Sequence, residues 1–378
     1  MKRKSLMQSL LLLCMVAGTI QAEPSLSWGG YGEIVYSKGV GGDTQSNAVL
    51  DAQRIILMTV VDFTERTGFT AELEFEHADE TFVEQAYLDH RFSRYFTWRS
   101  GVLILPAGYI NVRHEPMNFP TVQRPMIDKS IIPSTWREIG TGFYGSTMDA
   151  SLSWEMYLIN GLKSYDEGGK LGGSSGLRGG RQKASNSIMT EPGFAVALNW
   201  LSPLGIDLGS SFYRGGTQST LFDGLDAGDA AASAAADSSV VDVSLFSVYG
   251  SGEFGALRFA AEYSQAGLGN SDRYNAFTGK DLGSLLRGYW AYVSYRLPLG
   301  GVWGEALDLF FMAEDQDLHA GTAGDLTANP SYHVFGLNYG LNWYLSRSVL
   351  VKADLSSRTT DAVEDMDYTF NLGLGFSF

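Results

Sequence analysis

Glu72, Glu74 and Glu76 occupy every second position of one stretch, and Glu155 lies in a second stretch of alternating character, Leu152 to Leu158. A period of two places the three neighbouring carboxylates on one face of a strand, with Phe69, Ala71, Leu73 and Phe75 on the other. Carboxylates in such a row need water or partners. Further along, Arg113, Arg124 and Lys129 fall in a Pro-rich connection that is locally basic. Cations on a rigid loop opposite carboxylates on a wall would set a transverse field across a narrow aqueous passage, and such a field sorts ions. Arg113, Arg124, Lys129, Glu72, Glu74 and Glu155 are therefore expected to line a constriction; the alternative for Arg113, Arg124 and Lys129 is that they bond loop carbonyls and hold the loop against the wall. Metal chemistry is not expected: the five histidines are scattered at no ligand spacing from one another. Nothing in the sequence asks for a cofactor.

The elements that must position these residues are strands. Leu257, Phe259, Ala261 and Tyr263 alternate with Arg258, Ala260 and Glu262. Val349, Val351, Ala353 and Leu355 alternate with Leu350, Lys352, Asp354 and Ser356. The terminal stretch alternates Tyr368, Phe370, Leu372, Leu374, Phe376 and Phe378 with small or polar residues. One apolar and one charged face per strand suits a closed barrel with lipid outside and water inside. Short turns alternate with longer loops, and the pattern predicts sixteen strands in an all-β, transmembrane antiparallel barrel. Trp28, Tyr31, Tyr36, Tyr95, Trp98, Trp200, Tyr213, Tyr289, Tyr295, Trp343 and Tyr344 fall near strand ends and are expected to form interfacial girdles.

Composition agrees. Aromatics are 13%, with 45 glycines and only 10 prolines in 378 residues, a barrel-like balance. Lys2, Arg3 and Lys4, the apolar run Leu10 to Val16 and the small-residue site at Ala22 read as a signal peptide over 1–22, leaving 23–378 as one barrel domain. Cys14, the only cysteine, lies in that leader. Removing the leader's three cations from a net charge of −15 gives −18 for the mature chain, a poor partner for nucleic acid. The expected location is the bacterial outer membrane, with lipid and lipopolysaccharide as surroundings.

One connection is unlike the rest. The run from Gly101, GVLILPAGYINVRHEP, followed by QRPMIDKSIIPSTWREIGTGFYG from Gln123, resembles the corresponding stretch of porins related to the phosphate-selective porin O and P family. The resemblance spans about residues 25–160. It implies a sixteen-stranded channel, often a trimer, with the third loop folded into the lumen. The wall charges depart from that family's selectivity. Glu72, Glu74, Glu76, Asp89, Glu155, Asp207, Asp242, Glu262, Asp308, Glu314 and Asp354 outnumber Arg91, Arg258, Arg296, Lys352 and Arg358. A phosphate pore needs a series of cations, so weak cation preference or little selectivity is expected instead. Arg137, beside Trp136 and Glu138, is expected to be structural. The fourth loop, 161–192, is Gly-rich and basic through Lys163, Lys170, Arg178, Arg181 and Lys183, and reads as a solvated loop.

The function these readings support is a porin passing ions and small hydrophilic solutes, expected as a homotrimer. The alternatives are an outer-membrane hydrolase and a structural or adhesive barrel. The hydrolase would draw on His77 or His333 at the outer rim, but no serine on a neighbouring strand pairs with either and no acyl-hydrolase motif is present. The long in-folding connection argues against a barrel that works only through its outer loops.

Overall fold

The computed structural model describes residues 23–41, 46–226 and 228–378. The leader expected over 1–22 lies outside the described residues. Eighteen strands follow one another: β1 Ser25–Val40, β2 Val49–Asp62, β3 Thr67–Glu76, β4 Glu80–Ser93, β5 Phe96–Ile104, β6 Arg137–Ser146, β7 Leu152–Ile159, β8 Lys163–Tyr165, β9 Gly193–Leu201, β10 Asp207–Gly216, β11 Gln218–Ser219, β12 Asp242–Phe254, β13 Leu257–Gly269, β14 Leu285–Pro298, β15 Ala306–Gly321, β16 His333–Ser346, β17 Val349–Thr360 and β18 Val363–Ser377. All but β8 and β11 form one closed antiparallel barrel of sixteen strands, which β1 and β18 seal by pairing with each other. Phe378 extends the seam, its N–H donating to the Gly30 carbonyl at 3.0 Å and its own carbonyl accepting from Gly30 at 3.1 Å.

Closure satisfies every strand edge, which an open sheet in hydrocarbon could not do. The alternation sorts the faces as their chemistry requires. On β3, Leu73 and Phe75 are exposed while Glu72 and Glu74 are buried. On β18, Tyr368, Phe370, Leu372 and Leu374 face out while Asn371 is buried. Trp28, Trp200, Tyr289 and Tyr295 are exposed, as girdle residues should be. Tyr31, Tyr213 and Tyr344 correct that expectation. Tyr31 and Tyr213 are buried, and Tyr344 lies under the Arg296 guanidinium. An aromatic near a strand end belongs to the girdle only if its parity is outward.

The hydrophobic core lies around the third loop, 105–136. Leu105, Ile110, Ile127, Ile131, Ile132 and Trp136 from that loop pack with Tyr213, Leu286, Trp290 and Met312 of the barrel strands. Leu162, Leu171, Leu177 and Leu282 from the other outer loops join them. Each fully buried side chain of this size contributes about 1.5–3 kcal/mol relative to exposure, so the loop is held as a packed element. A short helix, α1 (Ile127–Ser130), sits within it; α2 (Ala230–Ser238) and α3 (Ser271–Thr278) sit in later loops. The fourth loop corrects its expectation as a solvated segment. β8 and β11 pair in parallel, and the buried Tyr274 of α3 accepts from Leu171 N–H at 2.9 Å and donates to the Ser164 carbonyl at 3.1 Å.

Candidate functional site: the docked third loop

The third loop begins with a turn that only glycine fits. Gly108 has φ of +69°, and a Cβ there would meet Ile132 and the Glu262 carboxylate. The buried Asn111 then staples the two ends of the loop. Its Nδ2 donates to the carbonyls of Leu105 at 2.8 Å and Trp136 at 3.3 Å, and its Oδ1 accepts from Trp136 N–H at 2.7 Å.

From this base the loop reaches strands far from β5 and β6. Tyr109 N–H donates to Glu262 Oε2 on β13 at 3.1 Å, Val122 N–H to Asp354 Oδ2 on β17 at 2.6 Å, and Met126 N–H to Glu314 Oε2 on β15 at 2.8 Å. Gly108 N–H donates to Ser211 Oγ on β10 at 3.0 Å, and Trp290 on β14 donates to Asp128 Oδ2 at 3.0 Å. Three wall carboxylates thus accept loop amides, charge-assisted bonds roughly twice as strong as neutral ones. The loop tip is clamped by the buried Lys352, whose Nζ donates to the Phe119 carbonyl at 2.7 Å and the Thr121 carbonyl at 3.0 Å. Its ammonium also lies 4.2 Å from the centre of the Phe119 ring.

The residues singled out in the sequence separate into groups. Arg124 borders two cavities of about 220 and 210 Å³ on the loop side of the barrel. Its Nη2 donates to the His114 carbonyl at 3.1 Å. Burial, and then the like charge of Arg54, brings its pKa down to about 10, so it stays charged at neutral pH. Lys129 borders the second of these cavities and is exposed, and among the described residues its ammonium has no hydrogen bond or ion pair. Partial burial, followed by the charges of Arg178 and Arg358, lowers its pKa. Arg113 lies elsewhere, paired with Asp207 Oδ2 at 3.0 Å and stacked on Tyr109 at 4.6 Å. Asp207 and Tyr109 line a larger cavity of about 490 Å³ toward the short turns. Phe119 borders both this cavity and one on the loop side.

Glu72 and Glu74 are buried, at 4% and 2% exposure. Glu74 lies 3.7 Å from Arg54 and 3.9 Å from Arg137, so Arg137 is part of the wall packing. Glu155 accepts from the Tyr157 hydroxyl at 2.9 Å and, among the described residues, makes no hydrogen bond or ion pair to the loop. Most other wall charges are paired. Arg99 holds Asp89 through two bonds of 2.8 Å, and Arg296 holds Asp308 through bonds of 2.6 and 2.8 Å. The fourth-loop cations Arg178 and Arg181 donate to the Ser134 carbonyl at 2.6 and 3.2 Å and so brace the third loop from outside. His77 and His333 bond to aspartates, at 2.7 Å to Asp51 and at 2.8 and 3.1 Å to Asp361 and Asp315.

Two inward residues carry no sequence signal of their own. His114 sits in the loop with nothing near it in sequence to mark it. Glu84 has the wrong parity for the interior, but β3 pairs Glu72 with Gln85 and Leu73 with Val83, leaving Glu84 as the extra residue of a β-bulge.

A closed sixteen-stranded barrel with an apolar exterior, outward aromatics and a charged, hydrogen-bonded interior is the fold of the bacterial outer-membrane porins, and it places the chain in that membrane. No family model matches the chain. An uncharacterized protein of Aquifex aeolicus (strain VF5) is 30% identical over 351 residues, covering 88% of this chain and 76% of that protein, and the chain belongs to the family which that protein represents. Among solved structures, the outer-membrane channel DcaP of Acinetobacter baumannii superposes with a TM-score of 0.60 at 13% identity, over 95% of this chain and 98% of that one. The anion-selective porin of Comamonas acidovorans gives 0.58 at 12% identity, over 94% and 100%. OmpT of Vibrio cholerae in its trimer form gives 0.56 at 8% identity, over 94% and 100%. At these identities the likeness is one of fold.

Proposed function

We propose that the protein is an outer-membrane porin: a water-filled channel for passive diffusion of ions and small hydrophilic solutes, narrowed where the third-loop tip Phe119–Arg124 meets the wall. The observation that carries this reading is the pair of loop-side cavities and the turn-side cavity separated by that tip, with Arg124 and Phe119 on their borders. Arg124 and Lys129 are the loop cations that touch these spaces. Glu72 and Glu74 act from behind, through the packing of the wall, and Arg113 and Glu155 lie off the narrow region.

Selectivity follows from the same inventory. The resemblance to phosphate-selective porins favours a solute pore, but a phosphate path needs cations free to replace hydration. Lys352 is spent on the loop carbonyls, and Arg99 and Arg296 on aspartates. Most wall carboxylates are equally committed. The pore is therefore weakly selective. A homotrimer embedded in lipid and lipopolysaccharide is the assembly we propose, in keeping with the trimer form of OmpT. Purified protein in planar bilayers should give discrete conductance steps and a small reversal potential under a salt gradient. Folded protein that gives no steps contradicts the porin reading, and conductance that saturates at low phosphate concentration contradicts the selectivity.

A further inference from the structure

We propose that Glu72, Glu84 and His114 form a closed site for one first-row divalent cation, zinc being the natural probe, which pins the third loop to the β3–β4 wall. The inference rests on side-chain geometry and does not depend on what the pore conducts. The three side chains come from β3, from the bulge in β4 and from the loop, and one ligand atom of each lies within 4.8 Å of the other two. All are buried, with exposures of 4%, 0% and 5%.

Glu72 Oε2, Glu84 Oε1 and His114 Nε2 are buried atoms without a hydrogen-bond partner. A native interior leaves few such atoms, and three in one cluster call for an occupant. The tautomer of His114 sharpens the point. Its Nδ1 lies 3.0 Å from the Asn111 carbonyl, which can only accept, so Nδ1 carries a proton. In the neutral ring Nε2 is then a lone pair directed at two carboxylates. An imidazole held by a backbone carbonyl through one nitrogen, with the other turned toward further donor groups, is the usual arrangement of a metal-binding histidine.

Charge and distance also fit. His114 Nε2 lies 3.5 Å from Glu84 Oε2. Ligand atoms bound at about 2.0–2.2 Å in a tetrahedral zinc site sit roughly 3.4 Å apart. Two carboxylates neutralise a divalent ion, and one imidazole with two carboxylates is a donor set that zinc accepts. Two nearby guanidiniums would repel a cation: Arg54 is engaged by Glu33 at 2.8 Å and Glu74 at 3.7 Å, and Arg124 donates to the His114 carbonyl at 3.1 Å. The Tyr31 hydroxyl, 3.5 Å from Glu84 Oε2, is a further oxygen donor at the rim of the cluster. A bulge that turns Glu84 inward is the kind of local departure from regular pairing that strands use to aim a ligand.

The site borders none of the cavities described above, so metal would enter as the barrel folds. The test is to refold the full chain in detergent with zinc or with chelator, pass it through excess chelator to strip surface ions, and measure bound metal. Wild type refolded with zinc should retain about one zinc per chain. Glu84→Gln and Glu72→Gln, checked for folding by heat-modifiable migration, should retain about tenfold less or none. Wild type that retains no zinc overturns the proposal, since protons then satisfy the cluster, and this arm holds even if the variants do not fold. Folded variants that retain as much zinc as wild type overturn it too, because the metal then lies elsewhere.

Discussion

Replacing Lys352 by methionine keeps an unbranched side chain one atom shorter and removes its charge. In the native protein that ammonium holds two loop carbonyls, Phe119 at 2.7 Å and Thr121 at 3.0 Å. A hydrogen bond from a charged group contributes about 1.5–3 kcal/mol. Against the two bonds stands the cost of burying an ammonium, several kcal/mol in real interiors. The carbonyls set free lie beside cavities and can regain water. Asp354 keeps its bonds to Val122 N–H and Asn371, at 2.6 and 2.7 Å, so the tip is weakened and not released outright. A net loss of about 2 kcal/mol is reasonable, which lowers the ratio of docked to undocked tip roughly thirtyfold. Single-channel recording and amide hydrogen exchange read this out together. Lys352→Met should show brief excursions to larger conductance and faster exchange at Val122. Unchanged current noise with unchanged protection at Val122 would refute the assignment of the tip as the narrow element.

Three further outcomes are expected. Arg124→Gln combined with Lys129→Gln should move the reversal potential toward cations, whereas Glu72→Gln, at a buried position, should not move it toward anions; the opposite pattern would put Glu72 in the ion path. Burial, and then the charge of Glu262, holds the Asp128 carboxyl well above its ordinary range. Its proton is bound more tightly with the loop docked, so its contribution to docking is full below the ordinary pKa of about 3.9 and is lost as pH rises through the raised value. Loop protection by hydrogen exchange should therefore fall with rising pH in wild type, and Asp128→Asn should flatten that profile; an unchanged slope would remove Asp128 from the account. Deleting Phe378 should lower outer-membrane levels and leave the conductance of assembled protein unaltered, because its backbone closes the seam with Gly30 while the residue as a whole is 67% exposed; normal assembly of the deletion would contradict this.

The barrel was legible because its strands obey a period of two under two opposed solvents. Lipid demands apolar side chains at Leu372 and Leu374 while the interior accepts Asn371, and that opposition writes the parity into the sequence. Strand number and the alternation of turn and loop lengths followed. The special status of the third loop was legible in its prolines and apolar residues, but its anchors were not. A carboxylate facing water and one facing a loop amide look alike in sequence, and only the fold shows that Glu262, Glu314 and Asp354 are of the second kind. Glu84 was missed for a definite reason: a bulge shifts parity by one residue, and the stretch Val83–Glu84–Gln85–Ala86 gives no other sign of it. Tyr31 and Tyr213 were misplaced in the girdle because ring chemistry says nothing about direction. The order of the fourth loop comes from contacts such as Arg178 to Ser134, 44 residues apart, which no local pattern encodes.

The central claim is that this barrel is a diffusion pore whose width is set by the third loop. Liposome swelling with neutral sugars of increasing size, comparing wild type with a variant in which 112–134 is replaced by a short Gly-Ser linker, tests it most directly. Wild type should admit the smaller sugars and exclude the larger, and the variant should admit larger ones. Swelling by neither protein, with both shown to be folded, or one size limit shared by the two, would contradict the account.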